Sequence, residues 1–115
     1  MDLVEIDELR ESIQAFGERY LGRVFTPAER NECGSDPARL AERYAAKEAI
    51  LKALQVDGAV PLAAIDTRAR GRGGLTVRLD GAAAELAGRR RVERIGVSIS
   101  RQQGHAAAVA ITEGI

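Results

Sequence analysis

The 115-residue sequence has no tryptophan, two phenylalanines, two tyrosines, one cysteine and one histidine. With aromatics at 3%, core and contact surfaces have to be built from Leu, Ile, Val and Ala. Such side chains bury little area each, so association would help stabilise the chain. A single cysteine, Cys33, excludes a disulfide framework and fits the reducing cytoplasm. Cys33 reads as a small loop or helix-end residue, and the lone His105 lies far from it in sequence. Neither charge sign is in excess, with 17 basic and 17 acidic residues, which argues against a general nucleic-acid binder. No apolar run reaches membrane-spanning length, and no signal-peptide pattern precedes the first strand. The length is that of one domain, residues 1–115.

What is present is a helical stretch centred on Arg43-Tyr44-Ala45-Ala46-Lys47-Glu48-Ala49-Ile50-Leu51-Lys52-Ala53. At 100° per residue, Leu40, Tyr44, Leu51 and Leu54 form an apolar stripe with Lys47 in its middle. Ala41, Ala45, Glu48 and Lys52 form a second stripe, in which small residues surround one carboxylate and one ammonium. The remaining arc mixes Glu42 and Arg43 with Ala49, Ile50 and Ala53, so the helix is expected to be covered on several sides. Glu48 and Lys52 should then point into a crevice. Two readings of that pair stand side by side. One is a surface i,i+4 ion pair worth ~0.3–0.5 kcal/mol. The other is an anion site, where a carboxylate holds a divalent metal and ammonium groups neutralise bridged phosphate oxygens. Lys47, inside an apolar stripe, must snorkel or find a partner.

Around this helix the chain reads in order. Residues 2–6 form a short strand. Leu9, Ile13, Phe16 and Tyr20 mark the apolar face of a first helix, with Asp7 as its N-cap. Thr26-Pro27-Ala28-Glu29 is a capping box with Pro at the first helical position. Asp36 and Pro37 start the main helix, which should run to about Gln55. Gly58 to Pro61 breaks the chain. Leu62 to Ala69 and Leu75 to Leu79 flank the turn Arg70-Gly71-Arg72-Gly73-Gly74. Ala82 to Ala87 is a short helix. The run around Ile95, Val97 and Ile99 pairs with His105 to Thr112 across Gln102-Gln103-Gly104. Helices first and hairpins later give an α+β fold, with a long central helix on an antiparallel sheet. Arg89-Arg90-Arg91 with Arg94 reads as a solvated loop, or else as a docking patch for an acidic partner.

Tyr44-Ala45-Ala46-Lys47-Glu48-Ala49 followed by Lys52-Ala53 resembles the signature helix of the phosphopantetheinyl transferases, most of all the short holo-acyl-carrier-protein synthase type. Asp2-Leu3-Val4-Glu5-Ile6 resembles that family's first motif. Phe16 to Leu21, Arg23 to Thr26 with Glu29, Val97-Ser98-Ile99-Ser100 and Ala106-Ala107-Ala108 resemble further segments. The resemblance implies transfer of 4′-phosphopantetheine from coenzyme A to a serine of an apo acyl-carrier protein. It implies Mg²⁺ held by Asp2 and Glu48, and Glu48 and Lys52 as catalytic residues. It implies Lys47, Lys52, Arg43, Ser100 and Arg101 as the coenzyme A contacts, and a cytoplasmic homotrimer without nucleic-acid or membrane partners. The chain differs from the family pattern at several places. It starts at Met1-Asp2, where the family has a short apolar, glycine-containing stretch. It has Arg101 after Ser100 where the family has His, and Glu8 on the carrier-facing helix. Those differences motivate a second reading, a non-catalytic homologue that binds coenzyme A, a carrier or another subunit. A third is an adaptor working through Arg89 to Arg94.

Overall fold

The computed structural model describes residues 1–56 and 59–114. Its five strands form one antiparallel sheet in the order β1-β5-β4-β3-β2. They are β1 (Asp2–Glu5), β2 (Ile65–Arg70), β3 (Gly74–Leu79), β4 (Val92–Gln102) and β5 (His105–Gly114). The helices are α1 (Ile6–Val24), α2 (Pro27–Cys33), α3 (Pro37–Ala53) and α4 (Gly81–Arg89). A 3₁₀ turn at Leu62–Ala64 leads into β2. Of the chain break expected from Gly58 to Pro61, Gly58 lies outside the described residues, and Ala59 to Pro61 are in neither helix nor strand.

Helix α3 starts as its sequence dictates. Asp36 accepts a hydrogen bond from the Ala38 N–H, and Pro37 takes the first helical position. Its Ala45, Ala46, Ala49, Ile50 and Leu54 pack with Leu75, Val97 and Ala108 from the sheet. A run of alanines lets the helix lie close to the strands. Helix α2 shows both halves of the predicted capping box, Thr26 to the Glu29 N–H and Glu29 back to the Thr26 N–H.

Helix α1 departs from expectation. It begins at Ile6, so its cap is Glu5 rather than Asp7, and Asp7 lies in the first turn beside Glu8. Gly17 has φ 56° and ψ −135° inside the helix, a left-handed kink that glycine adopts without steric cost. The kink resets the helical phase. Leu9 stays buried, whereas Phe16 is 63% exposed and does not belong to the core face.

The sheet has two unlike faces. Asp2 and Val4 face α3, together with Ala106, Ala108, Val97 and Ile99. Leu3, Val109 and Ile111 face the other way and are exposed. The second hairpin is in register through Ile99↔Ala108 and Arg101↔Ala106, and β1 adds to β5 through Asp2↔Ala108. Asp2 is therefore carried to the edge of the sheet, directly beside α3.

Candidate functional site

Two lysines sit five residues apart on α3 and have opposite fates. Lys47 is fully buried. Its ammonium donates to Glu29 Oε1 at 2.6 Å, to the Val24 carbonyl at 2.7 Å and to the Leu62 carbonyl at 3.1 Å. All three ammonium hydrogens are thereby satisfied. The Phe25 ring lies 5.6 Å below. Burial is the largest influence on this ammonium and pushes its pKa below the ordinary lysine value, against the pull of Glu29. Glu29 is equally buried and also accepts from the backbone N–H groups of Thr26 and Thr67.

Arg43 belongs to the same interior. It donates to the Thr67 carbonyl at 2.9 Å and pairs with Glu32 at 2.8 Å, with its side chain 4% exposed. Lys47 and Arg43, expected as coenzyme A contacts, are thus closed off inside the protein. Desolvation without a partner would be prohibitive for each, and the fold supplies the partners internally. The sequence signal for Lys47 was its apolar stripe. Its counter-ion Glu29 carried only a helix-start signature, because one carboxylate serves both roles.

Lys52 behaves differently. Its ammonium lies 2.7 Å from Asp2 Oδ1, across 50 residues of chain. Its side chain is 60% exposed, so it stands at the mouth of the site rather than deep in a crevice; that of Asp2 is only 15% exposed. The hydrogen bond from Lys52 to Asp2, reinforced by the charges of Asp2 and Glu48, raises the lysine pKa. Glu48, half-buried, is one helical turn before Lys52. Burial, then the charge of Glu48, a hydrogen bond to Glu48 and the charge of Asp2 raise the Tyr44 phenol above its ordinary value. Tyr20 is pushed up to about 12, chiefly by burial, then by Tyr44 and Glu48. Asp2, Glu48, Lys52 and the two tyrosines therefore share one electrostatic environment, where α3 meets β1 and α1.

The remaining expected contacts do not converge on it in the same way. Arg101 lies on the α3 side of β4 and pairs with Glu42 at 3.3 Å. Ser100, the residue before it, pairs with Ala107, which in turn pairs with Leu3, and lies on the opposite face from Asp2. The tyrosines were missed as site residues. The i,i+4 spacing of Tyr44 and Glu48 was the available signal; Tyr20 gave none beyond its place on α1.

Oxygen donors of this kind suit a hard divalent cation. Among the described residues no group of three or more His, Cys, Asp or Glu side chains forms a self-sufficient metal cage. Two carboxylates and an adjacent ammonium are instead the set expected where phosphate oxygens and water complete the coordination.

Residues 1–110 match the 4′-phosphopantetheinyl transferase superfamily. The chain belongs to that superfamily. Among relatives of this phosphopantetheinyl transferase, a holo-[acyl-carrier-protein] synthase of Paramagnetospirillum magneticum is 41% identical, over 97% of this chain and 92% of its own. One from Koribacter versatilis is 36% identical, over 98% and 94%. The crystal structure of the Helicobacter pylori holo-[acyl-carrier-protein] synthase in complex with coenzyme A superposes with a TM-score of 0.86 at 25% identity, covering 97% of this chain and 96% of that one. The Mycobacterium tuberculosis acyl carrier protein synthase gives 0.78 at 34% identity, over 99% and 94%.

Proposed function

We propose that this phosphopantetheinyl transferase moves 4′-phosphopantetheine from coenzyme A to a serine of an apo acyl-carrier protein at the Asp2–Glu48–Lys52 cluster. The observation that carries the assignment is the 2.7 Å contact of Lys52 with Asp2, one turn beyond Glu48. Relatives named holo-[acyl-carrier-protein] synthase over nearly their whole length, and one bound to coenzyme A, support the substrate pair.

Phosphoryl transfer asks the protein for alignment and charge neutralisation. The serine oxygen bonds to the phosphorus that bears the pantetheine arm. The bond from that phosphorus to the bridging oxygen breaks, and the oxygen departs on adenosine 3′,5′-bisphosphate. Glu48 accepts the hydroxyl proton. Lys52, on a flexible stem and largely exposed, turns from Asp2 to the phosphate oxygens. Asp2 and Glu48 would hold Mg²⁺, which supplies charge neutralisation to the diphosphate when bound.

The outer sheet face fits a homotrimer. Leu3 at 64%, Val109 at 43% and Ile111 at 63% exposure form an apolar surface that a neighbouring subunit would cover. Ser100 lies on that same face, so it would contact coenzyme A only at a subunit boundary. A carrier of fatty-acid or polyketide synthesis and a cytoplasmic setting complete the reading. No helix among the described residues is long and apolar enough to cross a membrane.

The test is incubation of the protein with coenzyme A, Mg²⁺ and several apo carriers, followed by intact-mass spectrometry. One carrier should gain a single phosphopantetheinyl group, and Glu48→Gln should abolish the gain. Absence of the mass from every carrier would reject the assignment.

A further inference from the structure

We infer that Lys52 is an internal counter-ion, which holds Asp2 while the site is empty and has to release it before a divalent cation binds there. The inference rests on the reading above that Asp2 and Glu48 are the cation's ligands.

Lys52 and Asp2 differ from an ordinary surface pair. They meet at 2.7 Å across 50 residues of chain, and only one of them is solvated. Asp2 stands on the α3 side of β1, opposite the buried Ala108, with its side chain 15% exposed. A carboxylate in that position has lost most of its water and needs a cation or a donor. Lys52 supplies one on a flexible side chain that is 60% exposed, so its ammonium can also turn away into water. Its neighbours on α3 have no such freedom. Arg43 is committed to Glu32 and Lys47 to Glu29, both in the interior. Among the described residues, no other cation pairs with Asp2 and none pairs with Glu48.

The charges define what the pair does. Two carboxylates match a divalent cation, whereas Asp2, Glu48 and Lys52 together leave a single negative charge. Lys52 therefore opposes a lone cation twice. It occupies an oxygen of Asp2, and it repels a second positive charge. A diphosphate reverses both effects, because it offers Lys52 another anion and leaves Asp2 free. Cation and coenzyme A then favour one another, and by linkage each gains the same factor from the other. The empty site resists free cation and accepts it together with the diphosphate.

Mg²⁺ titration followed by nuclear magnetic resonance tests this, with ¹³C at the lysine Cε and aspartate Cγ positions. The chain has only two lysines, and the sealed Lys47 serves as internal reference. In ligand-free protein, Asp2→Asn should move the Lys52 signal and leave that of Lys47 in place. Mg²⁺ without coenzyme A should carry the wild-type Lys52 signal toward its position in Asp2→Asn. Lys52→Met, read at the Asp2 signal, should bind Mg²⁺ about fivefold more tightly than wild type. Saturating coenzyme A should then raise the Mg²⁺ affinity of wild type by about fivefold more than that of Lys52→Met. A Lys52 signal indifferent to Asp2→Asn would overturn the inference, as would Mg²⁺ that moves Asp2 and leaves Lys52 in place. Mg²⁺ affinities within about twofold in the two proteins, or an equal gain from coenzyme A, would overturn it too. All of these results leave the transfer assignment standing, since the carrier assay tests that separately. An Asp2 signal that Mg²⁺ fails to move in either protein, with coenzyme A present, would instead remove the reading of Asp2 as a cation ligand.

Discussion

Lys52 and Lys47 show how one residue type is assigned two purposes by a five-residue shift on a helix. Lys52 is solvated and reaches Asp2; Lys47 is sealed and reaches Glu29. Lys52→Ala is accordingly expected to lower turnover about tenfold or more while the thermal midpoint holds. A large drop in the midpoint with normal turnover would contradict the assignment. Tyr20 makes a separate statement about alkaline stability. Its native pKa is about 12 against an ordinary 10.0, so between those values the native state holds the proton that the unfolded chain has lost. Stability is fully present below pH 10 and falls as pH rises toward 12. The loss should be on the order of 1 kcal/mol after allowance for the half-exposed ring. Urea unfolding at pH 9 and pH 11.5 measures it, and Tyr20→Phe should flatten the difference.

The elements are held together by a buried polar network rather than by aromatic packing. Glu29 joins the start of α2 to Lys47 on α3 and Thr67 on β2. Asp66 accepts from Thr26 and Arg68, which ties the same strand to the α2 cap. Removing one member leaves an uncompensated buried charge. Lys47→Met should cost about 3–5 kcal/mol in urea unfolding, and Thr26→Ala, which removes a helix cap, about 1 kcal/mol. Equal effects of the two substitutions would show that the ion pair is not the main tie. The arginine run belongs to this scale too. Arg89 ends α4, and Arg90 donates to the carbonyls of Leu54 and Gln55 at the end of α3. At least one member of the presumed solvated loop is therefore a helix-end cap, the placement that the helix dipole favours for a cation.

At the scale of the whole molecule, the exposed sheet face is the contact surface of the homotrimer proposed above. Leu3→Asp and Ile111→Asp should each shift the native mass spectrum from trimer to monomer, with the circular dichroism spectrum retained. Trimers persisting in both variants would remove this face from the contact. The helix starts at Pro27 and Pro37, the alternation of β3 to β5 and the α+β order were legible in the sequence. These depend on capping groups and side-chain periods within a few residues of one another. The Gly17 kink was not, because helical periodicity carries no mark of where a backbone leaves its phase. The local sequence also determined that Glu48 and Lys52 share a helix face and that Lys47 needs a partner. Which partner Lys47 has, that Arg43 is closed off with it, and that Asp2 meets Lys52 were decided only by tertiary structure. Those contacts join residues 11 to 50 positions apart, and desolvation, which fixes the state of a charge, depends on what the fold places around it.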